Sequence, residues 1–247
     1  MTTPTQSPSP SVARSLTLAD DFLALFPDAL IGTVVVRDID NTRSGTEAAT
    51  MLAVQTPKTA KELPDGELAA HPAIAPWRAA YARFGVKPSK TRSSIENLLR
   101  SAKAQRLRSV NPLVDLYNTV SLRHLLPAGG EDLASVVGDV TLTRAVGDED
   151  FVPLGGAEGV QEPPPAGAVI YRDAVGAICS CWNWREADRT KLTEATTDAL
   201  LVMEAIPPIE RAALEAALAD LADRVTGHLG GTARVAILDR DSRSIHL

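Results

Sequence analysis

The chain has 247 residues, of which 45% are hydrophobic and 23% charged, a balance that supports one closed core and excludes low-complexity or fibrous chains. The net charge of −6 argues against a uniformly nucleic-acid-binding surface. The two cysteines, Cys179 and Cys181, sit too close on one extended segment to staple anything, and His71, His124, His228 and His246 lack ligand spacing, so neither a disulfide scaffold, a metal nor a cofactor is expected.

Met1–Ser15 carries three prolines, several Ser and Thr and no apolar stretch of the secretory kind, and reads as an unfolded tail. No run approaches the ~18 apolar residues of a membrane span, so a cytoplasmic, reducing setting is expected. Ser15–Phe26 reads as a short amphipathic helix ending at Pro27, and the β-branched Ile31–Arg37 as a strand. Glu47–Gln55 is helical in pattern, and Thr56–Gly66, with Pro57 and Pro64, reads as a polar connection. Pro72–Phe84 is a further helix stopping at Gly85.

The next helix is well marked. Ser93 and Glu96 have capping-box spacing, with Ile95, Leu98, Leu99 and Ala102 recurring as one apolar stripe behind them. Asn111-Pro112 opens another helix, Asn as N-cap and Pro in the first turn, running to about Leu126. Gly129-Gly130 read as loop. The pattern then shifts to period two, with strands expected over Val136–Leu142, Ala168–Tyr171, Ala177–Trp182 and Leu200–Met203, and a tight turn at Asp173–Gly176. Pro153–Gly167 is a long loop. Pro207-Pro208 begins a helix to about Leu229, and Arg234–Leu238 is a last short strand. Helices first and strands after favour an α+β layout over a doubly wound sheet.

Two features carry chemistry. Between Trp77 and Val110 lie Arg78, Arg83, Lys87, Lys90, Arg92, Arg100, Lys103, Arg106 and Arg108, opposed only by Glu96, a local +8 in an otherwise acidic chain. That asymmetry suits either one phosphate-facing surface or a solvated basic helix face. On the helix after Asn111, Asp115, Asn118 and Ser121 lie three apart and form one polar stripe, which must bond either neighbouring backbone or a ligand. Trp182 and Trp184, on one side of an expected strand, are either core or a stacking platform. Cys179 and Cys181 read as small buried fillers. No P-loop, nucleophile elbow or dinucleotide fingerprint appears.

The stretch Arg108–Leu133 resembles a segment of the B3/B4 domain, the tRNA-editing module of the phenylalanyl-tRNA synthetase beta subunit. The pattern V-D-x-x-N-x-V-x-L followed by Pro and D-L is filled by Val114-Asp115, Asn118, Val120, Leu122, Pro127 and Asp132-Leu133. Gly85–Arg100 resembles that family's basic loop and S-x-E-x-L-L-R helix, Leu142–Phe151 the start of its second half, and Thr193–Glu204 its closing T…L-x-x-E. The likeness spans roughly residues 72–205. It departs in two places: Gly129 stands where the synthetase module has a histidine implicated in editing, and Cys181–Arg185 replaces a glycine-rich segment, as is typical of freestanding members.

The resemblance implies an α+β, layered B3/B4 fold with a mixed sheet or sandwich core and flanking helices, covering residues 16–206 after a tail at 1–15. Residues 207–247 would add a helix and a short strand on the same domain. It also implies recognition of the aminoacylated 3′ end of a tRNA and hydrolysis of a misattached amino acid. Asn118 would orient the substrate, Asp115 would hold Asn118 or the amino group, and Ser121, Trp182, Trp184, Arg185 and Glu204 would line the substrate site. Arg78, Arg83, Lys87, Lys90, Arg92, Arg100 and Lys103 would face the RNA. A non-catalytic tRNA or RNA binder, and a pocket for a free amino acid or small metabolite, are the alternatives.

Overall fold

The computed structural model describes residues 14–157 and 159–247, so nearly all of the expected tail lies outside the described residues. In chain order the elements are β1 (Ser15–Leu18), α1 (Asp20–Leu25), β2 (Leu30–Arg37), α2 (Gly45–Glu62), α3 (Ala75–Arg83), α4 (Ser94–Lys103), α5 (Pro112–His124), β3 (Ala128–Asp132), β4 (Val140–Arg144) and β5 (Val169–Arg172). There follow β6 (Ala177–Ser180), β7 (Arg185–Glu186), β8 (Ala199–Ala205), α6 (Arg211–Leu229), β9 (Thr232–Leu238) and β10 (Ser244–His246).

The strands form two sheets. One is mixed, in the order β10-β1-β4-β5-β6-β7, with β1 and β4 parallel. The other is antiparallel, in the order β3-β8-β2-β9. Strand alternation decides how they stack. From β2, Ile31 and Val35 enter the core that holds Leu16, Leu142, Val169 and Ile178 of the mixed sheet. Val34 and Val36 point the other way, into a second core with Leu116 of α5 and Leu218 and Leu221 of α6. The fold is therefore α+β: two facing sheets, with α5 and α6 on the outer face of the antiparallel one. Close approach of α6 requires Gly32, because a Cβ there would lie 2.6 Å from a Leu218 methyl carbon.

Several local expectations are corrected. Ser15–Leu18 is strand, its alternation burying Leu16 and Leu18, and only Asp20–Leu25 is helical. Helix α2 continues through Pro57 to Glu62; just before the missing proline N–H, the Thr56 hydroxyl donates to Leu52 O at 2.6 Å. Gly129-Gly130 are not loop but part of β3, paired with Val202 and Leu201 of β8. Gly130 suits that place because a Cβ would lie 2.6 Å from Leu201 Cδ2. The strand expected to reach Trp182 stops at Ser180, since Cys181 and Trp182 both take left-handed backbone, φ 52° and 68°. Trp182 and Trp184 consequently part company. Ser93 caps α4 as expected, accepting from Glu96 N–H, but the Glu96 carboxylate turns to arginines instead of reaching back.

Candidate functional site

Helix α5 is anchored at its start by a small amide network. Asn111 Oδ1 accepts from Val114 N–H at 3.1 Å, its Nδ2 donates to Leu192 O, and Asn41 Oδ1 accepts from Leu113 N–H at 2.7 Å. Asp115, 1% exposed, belongs to the same anchorage: Ser109 Oγ and Val110 N–H donate to its two oxygens at 2.5 and 2.9 Å. Its carboxylate thus holds the preceding loop and does not reach Asn118. Ser121 Oγ donates to Leu126 O at 2.6 Å and closes the other end of the helix, where Leu125 is left-handed. Of the polar stripe, Asp115 and Ser121 are structural ties, and the half-buried Asn118 between them faces open space.

That space is a cleft of about 240 Å³ between α4 and α5. Ser94, Asn97 and Ser101, one face of α4, line one side; Asn118, Ala128 of β3 and Trp184 line the other. Trp184 is held in place by Arg185, whose guanidinium carbon lies 5.5 Å from the ring centroid and which bonds Glu162 Oε2 at 2.9 Å. Trp182, in contrast, is sealed at 0% exposure among Phe22, Phe26 and Trp77, with ring centroids 4.7–5.1 Å apart. It is a core residue and offers no platform.

One residue further along β3 the strand borders a different space. Gly129 and Glu131 face a small cavity between the sheets, about 10 Å³, shared with Cys179, Glu186 and Glu204. This is barely room for one water. Burial pushes the Glu204 carboxyl up to about 8. Burial, then the neighbouring Glu186 charge, holds Glu131 well above the usual carboxylate range, and burial raises Glu186 and the Cys179 thiol. Glu204 is fully engaged within the protein: Tyr171 Oη–H donates to Oε1 at 2.9 Å and Asn183 Nδ2 to Oε2 at 3.0 Å, while Tyr81 Oη–H donates to Asn183 Oδ1. Glu131 and Glu186 each keep a buried Oε2 without a partner among the described residues. A Cβ on Gly129 would lie 2.5 Å from Glu186 Oε1, so this carboxylate fills the space that a side chain at 129 would take. Glu131 and Glu186 carry little sequence signal, because Gly129-Gly130 reads as loop and Glu186 belongs to no motif; the period-two spacing of 129 and 131 is the one local hint.

The basic residues divide likewise. Buried Glu96 collects Arg78 at 2.9 Å, Arg100 at 3.0 Å and Arg92 at 3.5 Å. Arg78 also donates to Pro88 O, and Arg83 lies over the Phe26 ring, away from the others. Arg92, Arg100, Lys103 and Arg106 line a cleft of about 510 Å³ whose far wall carries Asp65 and Glu67. Lys103 pins that wall through Pro64 O and Gly66 O. Lys87 and Lys90 are exposed on the loop between α3 and α4. Helix α4 therefore divides a neutral polar cleft from a cationic one. Among the described residues no group of three or more His, Cys, Asp or Glu side chains is arranged to hold a metal, and no helix is long and apolar enough to cross a membrane.

No curated protein matches this chain. Among solved structures, it is similar to an N-terminal fragment of the phenylalanyl-tRNA synthetase beta-subunit from Pyrococcus horikoshii, at 11% identity and a TM-score of 0.46, covering 98% of this chain. The chain spans only 56% of that fragment. The B3/4 domain family matches residues 76–225, from the start of α3 to near the end of α6, and so takes in the neutral cleft, the acidic cavity and the arginine-bearing wall of the cationic cleft, but not the far wall at Asp65 and Glu67. With more than half of its length matched, this chain belongs to the B3/4 domain family.

Proposed function

We propose that this chain binds the aminoacylated 3′ end of a tRNA and hydrolyses a misattached amino acid. The observation that carries the reading is the neutral cleft holding Asn118 and Trp184, set across α4 from the cationic cleft of Arg92, Arg100, Lys103 and Arg106. Phosphates have cations on one side of the helix, and uncharged parts of the strand have hydrogen-bonding groups on the other. An aminoacyl ester is already activated, so its hydrolysis needs positioning, an oriented water and donors for the developing oxyanion. The Asn118 amide supplies such a donor. Beyond Gly129 there is room for about one water, and Glu186, with its raised proton affinity, suits the acceptance of a proton from it.

The test is loss of amino acid from a panel of correctly charged and mischarged tRNAs incubated with the purified chain. Turnover of at least one mischarged species, reduced ~100-fold or more in Asn118→Ala, is expected for a group acting on the reacting ester. Undiminished deacylation by Asn118→Ala removes its assigned role. A second reading, non-catalytic tRNA binding, is favoured by Gly129, which leaves no imidazole at that position of the cavity wall. Salt-sensitive tRNA retention without turnover selects it.

A further inference from the structure

We propose that the cleft between α4 and α5 is a nucleobase site, in which one heteroaromatic ring stacks on the open face of Trp184 and its edge meets the amide of Asn97, while Asn118 is left to the ester attached to that nucleoside. This deepens the tRNA reading by stating which part of the strand the cleft holds, and rests on that reading only for the identity of the strand.

The lining decides the ligand class. Every side chain around this cleft is neutral: three serines, two asparagines, Leu98, Ala128 and Trp184. A phosphate would need the cations that lie on the other side of α4, and a free amino acid would bring an ammonium and a carboxylate with no counter-charge to meet. A neutral, planar, hydrogen-bonding ring satisfies this wall without desolvating a charge. The size agrees, since about 240 Å³ falls below the ~300–1,000 Å³ of pockets for larger ligands.

Unused hydrogen-bonding capacity points into the same space. Asn97 uses one N–H on Arg92 O at 3.3 Å and keeps its carbonyl. Side-chain amides carry donor and acceptor on one plane, the pairing that a base edge presents. Trp184 is the tryptophan able to receive a ring, because Trp77 and Trp182 are 3% and 0% exposed. Arg185 covers one face of the indole and is itself fixed by Glu162, so the ring is oriented before anything binds. Stacking on such a face is tolerant of base identity.

The test uses adenosine, which carries no phosphate and so cannot report on the arginine cleft. Adenosine is titrated into the full chain while tryptophan fluorescence is followed, a signal sensitive to Trp184 because its two fellows are sealed. Saturable quenching is expected, with Trp184→Phe binding within a few-fold of the parent by calorimetry and Trp184→Leu ~5- to 150-fold more weakly. Should Trp184→Leu fail to fold, acrylamide quenching of the parent gives the same information: bound adenosine should shield Trp184. Adenosine that neither quenches nor shields at millimolar concentration overturns the proposal. So does a folded Trp184→Leu chain that binds adenosine normally, or phenylalanine that competes for the site. Deacylation unaffected by Trp184→Leu would leave hydrolysis standing and remove this site; adenosine bound through Trp184 without deacylation would do the reverse.

Discussion

Replacing Glu96 by alanine probes how the cationic cleft is built. The Glu96 side chain is 0% exposed and accepts from Arg78 at 2.9 and 3.2 Å and from Arg100 Nε at 3.0 Å, with Arg92 at 3.5 Å. Removing one partner of a buried ion pair costs ~3–5 kcal/mol, because the other charge is left desolvated. Here the arginine side chains remain 25–38% exposed and can turn to water, which places the expected loss at the low end, about 3 kcal/mol. Glu96→Gln keeps the shape and one acceptor, and should lose about half as much, roughly the value of one charge-assisted hydrogen bond. The assay is urea unfolding of both variants, with a cycle against Arg78→Ala, for which a coupling of ~1–3 kcal/mol is expected. Glu96→Gln should also weaken RNA retention, since it frees Arg92 and Arg100 from their fixed positions at the cleft. A loss below about 1 kcal/mol in Glu96→Ala, together with no coupling to Arg78, would refute the idea that this carboxylate organises the cleft.

The Glu204 carboxyl, ordinary value 4.5, is pushed up to about 8 by burial, so the folded chain holds a proton that the unfolded chain releases between those limits. Its contribution is present below 4.5 and declines as pH rises towards about 8; Glu204→Gln, which cannot titrate, should flatten the curve of urea midpoint against pH over that window, and equal slopes in the two proteins would contradict the assignment. RNA retention measured against KCl should give a shallow slope of about −3 in log K against log salt, at ~0.7 per phosphate neutralised, because Arg92, Arg100, Lys103 and Arg106 are the cations that line the cleft. A slope near −6 would mean that the nine cations all act, and one near zero that none does.

The sequence made individual elements and the α+β class legible where side-chain periodicity is enforced by burial on a single face. Helices α4 and α5 carry their own caps in Ser93 and Asn111, and β2 and β8 are dense in β-branched or aliphatic residues, so local preference and tertiary burial agree there. Legibility fails where tertiary pairing overrides local preference. Strand β3, AGGED, has no strand propensity of its own and exists because β8 supplies its hydrogen bonds and Leu201 fills the space above Gly130. The left-handed pair Cys181-Trp182 could not be foreseen either, since neither residue favours positive φ; packing of the Trp182 ring against Phe22, Phe26 and Trp77 outweighs the strain. That turn also sends Trp184 to the surface cleft, so the early end of β6 and the separation of the two tryptophans have one cause. The polar stripe of α5 was visible as a stripe, but its division into ties and a free amide depends on partners distant in sequence or beyond the helix ends, Ser109 and Leu126 among them.

Stability alone does not account for the acidic cavity between the sheets. Three glutamates facing one space of about 10 Å³ are less favourable than apolar side chains of the same volume, because each must shed water and at most part of that loss is recovered in hydrogen bonds. Glu204 recovers most of it through Tyr171 and Asn183. Glu131 and Glu186 do not: each retains a buried oxygen with no partner among the described residues, and Gly129 beside them leaves the wall without a side chain that could have covered them. A core selected only for packing would place an apolar residue at 129 or 131, as β8 does opposite with Leu200 and Val202. The unpaired oxygens, the missing side chain and the neutral cleft at Ala128, one residue away, all meet at the start of β3, which is where the proposed function places its ligand.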